Sequence, residues 1–132
     1  PATGADKSLK PAETALLNDD NYTYIGTLYF ALGEFMAELP QDFSGKVNSL
    51  KQNGEFLILG HTDTLRVMEN DLFDNNFDLS RKRADFLRSM LSLYGISSVN
   101  VSVKGMGTLM PAAENMKDGQ PLNRRADLYE RR

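Results

Sequence analysis

The sequence predicts a two-layer α/β (α+β) sandwich, with helices packed against one mixed sheet in the order β-α-β-α-β-β. Three observations carry this prediction. Glu55 to His61 (EFLILGH) is a short apolar run between turn signals, as a buried strand requires. Ala84, Leu87, Met90, Leu91 and Tyr94 recur at helical spacing and are closed by Gly95. Val99, Val101 and Val103 then alternate with Asn100, Ser102 and Lys104, the period of a half-buried strand.

The elements follow in chain order. Residues 1–21 mix Pro, Gly, Ala, Lys and Asp around a short apolar group, and read as a linker or partly ordered arm ahead of a domain at 22–132. Tyr22 to Phe30 is rich in aromatic and β-branched residues, which suits a strand. Strict alternation puts Tyr22, Tyr24, Leu28 and Phe30 on one of its faces, and Thr23, Ile25, Thr27 and Tyr29 on the other. Pro40 suits the first turn of a helix carrying Phe43, Val47 and Leu50, with a stop expected near Asn53-Gly54. After the strand at 55–61 comes a polar, acidic loop to about Asp78. Ser80 is the expected N-cap of the second helix. A Gly-, Pro- and Asn-rich connection leads to Asn123, and Ala126 and Leu128 alternate with polar neighbours in a last strand.

Bulk properties narrow the function. A formal net charge of -3 over 132 residues offers no basic excess for general nucleic-acid binding. The absence of cysteine removes thiol nucleophiles, disulfides and thiolate zinc sites. No run approaches the ~20 apolar residues of a membrane span, so any membrane attachment is expected through a segment outside this chain. The single histidine, His61, has no partners in the sequence pattern for zinc or a catalytic triad. Asp74, Asn76, Asp78 and Asp85 brush against a calcium-loop pattern, but Leu79 replaces the turn glycine and three basic residues interrupt the loop. Acidic residues lack the context of a glycan hydrolase. No catalytic residue, metal or cofactor is expected.

The informative stretches are Gly60-His61-Thr62-Asp63 and Asn76-x-x-Leu79-Ser80-x-x-Arg83-Ala84. The first places Asp63 just past the end of a buried strand, where α/β sheets commonly bind ligands. With Ser80 as N-cap, Arg83 falls in the first helical turn, against the helix dipole, a hint of function. An anionic and a cationic group beside free helix N–H groups match a zwitterionic amino acid. The same two residues also suit a salt bridge that only pins loop to helix, and the residues alone leave both readings open.

Together with Gly105-Met106-Gly107, Pro111 and Asn123-Arg124-Arg125, these stretches resemble the OmpA-like C-terminal domain, a family that includes peptidoglycan-associated lipoproteins and MotB-type stator subunits. The resemblance implies non-catalytic, non-covalent binding of peptidoglycan in the periplasm, with the diaminopimelate of the stem peptide as ligand. It assigns the ligand-binding charges to Asp63 and Arg83, the pocket lining to Thr62, Asn76 and Leu79, and a supporting role to Arg124. It further implies that the domain anchors a larger envelope protein, such as a stator-like or secretion-system subunit, among other subunits of a complex and by analogy as a homodimer. The chain departs from the family in a longer loop after Asp63. An alternative is therefore an OmpA-like fold with lost or gated ligand binding, using the elongated loop 65–75 to contact a protein partner.

Overall fold

A computed structural model describes residues 21–65 and 75–132. Residues 1–20 of the expected arm at 1–21 and most of the elongated loop, 66–74, lie outside the described residues, and so does the partner contact expected of that loop. The elements are β1 (Tyr22–Tyr29), α1 (Gln41–Asn48), β2 (Phe56–His61), α2 (Asn76–Leu93), β3 (Val101–Gly105) and β4 (Arg125–Arg131), with short 3-10 turns before β3 and β4. The sheet is four-stranded in the order β1-β4-β2-β3. β4 runs antiparallel to both neighbours, and β2 and β3 are parallel, so the sheet is mixed as predicted. The parallel pair needs a crossover, and α2 supplies it.

The helices cover one face. Leu28, Phe30, Phe56, Ile58, Val101, Ala126 and Leu128 from the strands meet Phe43, Val47, Ala84, Leu87 and Leu91 from the helices. The opposite face has its own cluster of Leu57, Leu59, Tyr129, Met106 and Met110. This explains why β2 reads as a continuous apolar run: it is central, and all six of its residues are buried.

Local chemistry moved several boundaries. A register shift between Tyr24 and Gly26 breaks the alternation of β1. Leu28 and Phe30 therefore join the helix-side core, whereas Tyr22 and Tyr24 pack against the opposite cluster, with Tyr24 and Tyr129 rings 5.7 Å apart. Pro40 is the N-cap of α1 rather than a first-turn residue, and the helix stops at Asn48, before the Asn53-Gly54 turn. Val99 lies in the exposed turn ahead of β3, so only Val101 and Val103 belong to the strand.

The larger correction concerns α2. Its N-cap is Asn75, whose side chain accepts a 2.8 Å hydrogen bond from the Asp78 amide. Ser80 lies inside the helix and is buried. Arg83 consequently sits two turns in, not in the first turn, and the argument from an opposed helix dipole does not apply to it.

Candidate functional site

The site forms where β2 and β3 end, because the α2 backbone approaches the sheet closely there. A Cβ on Gly60 would lie 1.9 Å from the Ser80 carbonyl oxygen, and one on Gly105 would lie 2.8 Å from the Arg81 amide. Only glycine permits this contact. Ser80 then locks it. Its hydroxyl donates to the Phe77 carbonyl at 2.6 Å and accepts from the Gly107 amide at 2.8 Å. The sheet continues briefly past the strands, with Met106 N–H on Gly60 O and Thr62 N–H on Gly107 O, both at 2.9 Å. Asp63 emerges from this frame at a fixed position.

Asp63 is 2% exposed. Its Oδ2 accepts from Arg124 Nη1 and from the Gln120 amide, each at 2.9 Å. Among the described residues its Oδ1 receives a single longer contact, 3.3 Å from the Leu65 amide. Arg124 therefore holds the carboxylate directly, and also donates through Nε to the Phe30 carbonyl at 3.3 Å.

Arg83 is 1% exposed and has no carboxylate in contact among the described residues. Its guanidinium donates to three main-chain carbonyls: Glu34 at 2.8 Å, His61 at 2.9 Å and Ala31 at 3.3 Å. It also stacks over the Phe30 ring at 5.3 Å. Burial pulls its pKa down to about 10, while the nearby negative charge of Asp63 opposes that shift. The pinning salt bridge between Asp63 and Arg83 is absent; the two charges act on each other without touching, and Arg124 is the partner of Asp63.

Two further polar atoms complete the picture. Thr62 Oγ1 and Asn76 Oδ1 are buried and have no hydrogen-bond partner among the described residues. Asn76 turns its amide group to the carbonyl of Leu65 at 3.2 Å, the same residue whose amide contacts Asp63. Leu79, one turn before Arg83, is buried at 1% exposure. Asp63, Arg83 and Arg124 are thus brought together, and Thr62 and Asn76 flank them. Among the described residues, no group of three or more His, Asp or Glu side chains could hold a metal ion.

Sequence reasoning missed three residues that shape the site. Asn123 is fully buried; its Oδ1 accepts from the Ala112 and Ala113 amides, and its Nδ2 donates to Ala113 O and Asn115 Oδ1. Gln120 reaches Asp63 through its main chain, which no side-chain pattern reveals. Ser80 was read as a cap although it latches helix to sheet. A separate charged cluster lies on the other face, where Asp127 meets Arg125 at 2.9 Å, His61 at 3.4 Å and the Thr27 hydroxyl at 2.6 Å. His61 thus shapes the strand end through Asp127 and, through its carbonyl, through Arg83.

The OmpA family model matches residues 35–125. Among solved structures, the fold is similar to that of a MotB-like protein from Desulfovibrio vulgaris, at 20% identity over 86% of this chain and 78% of that one, with a TM-score of 0.68. It is also similar to the cell wall anchor of the T6SS from Pseudomonas aeruginosa, at 19% identity over 91% and 92% of the two chains, with a TM-score of 0.66. The peptidoglycan-associated lipoprotein of Burkholderia pseudomallei aligns at 24% identity over 80% and 89%, with a TM-score of 0.62. No curated protein matches the chain by sequence. No helix among the described residues is long and apolar enough to cross a membrane.

Proposed function

The chain belongs to the OmpA family, and from that premise we propose that it binds peptidoglycan without catalysis and anchors a larger envelope protein to the cell wall in the periplasm. The ligand is a zwitterionic centre, the diaminopimelate of the stem peptide. One observation supports this most: a buried constellation whose bonding capacity is left open on both signs. Thr62 Oγ1, Asn76 Oδ1 and the Asp63 carboxylate can accept from an ammonium. Arg83 uses three N–H groups on carbonyls, and two of its five donors have no partner among the described residues and are available to a carboxylate. Buried polar atoms without partners are costly, so a ligand that satisfies them is favoured.

Affinity per site is modest, because two or three charge-assisted bonds of roughly 1.5–3 kcal/mol each are set against association costs. A repeating polymer and a multimeric parent protein convert it into a firm anchor.

The test is co-sedimentation with insoluble diaminopimelate-type peptidoglycan, using wild type, Asp63→Ala and Arg83→Ala, each shown to be folded by circular dichroism. Wild type is expected in the pellet, and each variant is expected to lose about tenfold or more in affinity. A folded wild type that stays in solution would refute the reading.

A further inference from the structure

The segment from Pro111 to Leu122 crosses the site, and its construction is uneven. Its base is tied down by Asn123, which takes the Ala112 and Ala113 amides and gives its own amide group to Ala113 and Asn115. Its tip, the Gly119-Gln120 turn, is bonded to the Asp63 carboxylate, among the described residues, through the Gln120 amide. Gly119 has φ +104°, and a Cβ there would lie 3.0 Å from Asp63 Oδ2 and 3.2 Å from Arg124 Nη1, so the backbone lies directly on the ion pair. One side contact, Thr64 N–H to Asn115 Oδ1 at 3.3 Å, joins the segment to the loop that carries Asp63.

Apolar burial contributes little to this closed arrangement. No residue from 111 to 122 is buried, and its two large apolar side chains, Met116 and Leu122, are 57% and 50% exposed. The segment is a strap of hydrogen bonds with a fixed base and a lightly held tip. Asp63 nevertheless is almost inaccessible beneath it, with one oxygen already occupied by an N–H donor of the kind an ammonium ligand would supply.

We propose that the Gly119-Gln120 turn is a lid that holds the ligand ammonium's place on Asp63, and that binding proceeds through a conformer in which the strap swings away about its Asn123 base. This rests on the peptidoglycan reading above and adds a regulated step to it. Observed affinity is then the intrinsic affinity reduced by the fraction of open molecules.

The chain has no cysteine, so a single engineered disulfide can lock the strap. The double variant Thr64→Cys/Asn115→Cys joins the strap to the Asp63 loop where the two already touch. Oxidised, and verified by mass, it is expected to stay in solution during co-sedimentation with peptidoglycan, and reduction with dithiothreitol is expected to return it to the pellet. Gly119→Ala acts in the opposite direction: its Cβ strains the turn and pushes it off Asp63, raising affinity by about threefold or more. Equal binding of the oxidised and reduced forms would overturn the lid and leave the peptidoglycan reading intact. Weaker binding by folded Gly119→Ala would also overturn it, because the turn would then be part of the binding surface. If neither wild type nor the reduced variant pellets, the peptidoglycan reading itself fails.

Discussion

Each side of the sheet buries an arginine, and the two are treated differently. On the face opposite the helices, Arg125 is 1% exposed and meets the fully buried Asp127 at 2.9 Å, with a further bond from Nη2 to the Met110 carbonyl at 3.1 Å. Thr27 caps the other carboxylate oxygen, and Tyr24 in turn hydrogen-bonds Thr27. That cluster is a matched ion pair within a hydrogen-bond network. On the helix side, Arg83 is as deeply buried but, among the described residues, donates its hydrogen bonds to carbonyl oxygens, while Asp63 is bonded to Arg124 instead. The first arrangement sets a guanidinium directly against a carboxylate. The second carries a positive charge with no carboxylate in contact, beside two oxygens, Thr62 Oγ1 and Asn76 Oδ1, that have no hydrogen-bond partner among the described residues. Burial alone does not separate the two; whether the guanidinium meets its counter-charge does.

The sharpest way to break this comparison is Asp127→Ala. It removes the carboxylate that the buried Arg125 faces at 2.9 Å and the acceptor of the Thr27 hydroxyl. Breaking a buried pair by removing one partner typically costs about 3–5 kcal/mol. Urea denaturation is expected to show a loss of that size, with peptidoglycan binding by the molecules that remain folded unchanged. A loss below about 1 kcal/mol would mean the cluster is not the closed unit described.

Ser80→Ala tests the latch between the two regions. It leaves the buried Gly107 amide without its acceptor, which costs about 1–3 kcal/mol. Because Ser80 also sets how closely α2 approaches Gly60 and Gly105, this variant is expected to weaken both stability and binding. A drop in melting temperature without any change in binding would show that Arg83 and Asp63 are held by their own bonds and not by the latch.

Much of this was legible in the residues. The element order follows from the changes of period at Glu55–His61, at Ala84–Tyr94 and along the valines, because each element buries a whole face. Thr62, Asp63, Asn76 and Arg83 could be named because they carry the family pattern, and the fold brings them together. The rest depended on competition between local options of similar energy. Asn75 and Ser80 are both good caps, and five residues of α2 hung on which of them the fold used. The bulge in β1 is hidden because both faces of that strand are fairly apolar, so a slip leaves no mismatch in the pattern. The Gln120 contact with Asp63 is main-chain, and Asn123 acts through backbone amides ten and eleven residues away. Neither leaves a trace in side-chain spacing.

The smallest expected effect on stability is the most telling. Arg83→Met keeps a long side chain against Phe30 and removes the guanidinium. Asp63 retains Arg124 at 2.9 Å, so no uncompensated carboxylate is left behind. The carbonyls of Ala31, Glu34 and His61 each lose a donor, but Ala31 and Glu34 belong to exposed residues within reach of water. Relief of the desolvation that lowers the arginine's pKa offsets part of the remainder. The net cost is about 1 kcal/mol, well below that of Asp127→Ala. Binding, in contrast, is expected to disappear from the pellet assay, since the other guanidinium at the site, that of Arg124, is already committed to Asp63. A variant nearly as stable as wild type that no longer binds would place Arg83 in recognition and not in the scaffold. One that unfolds like Asp127→Ala would make the two arginines equivalent and remove the distinction on which the site rests.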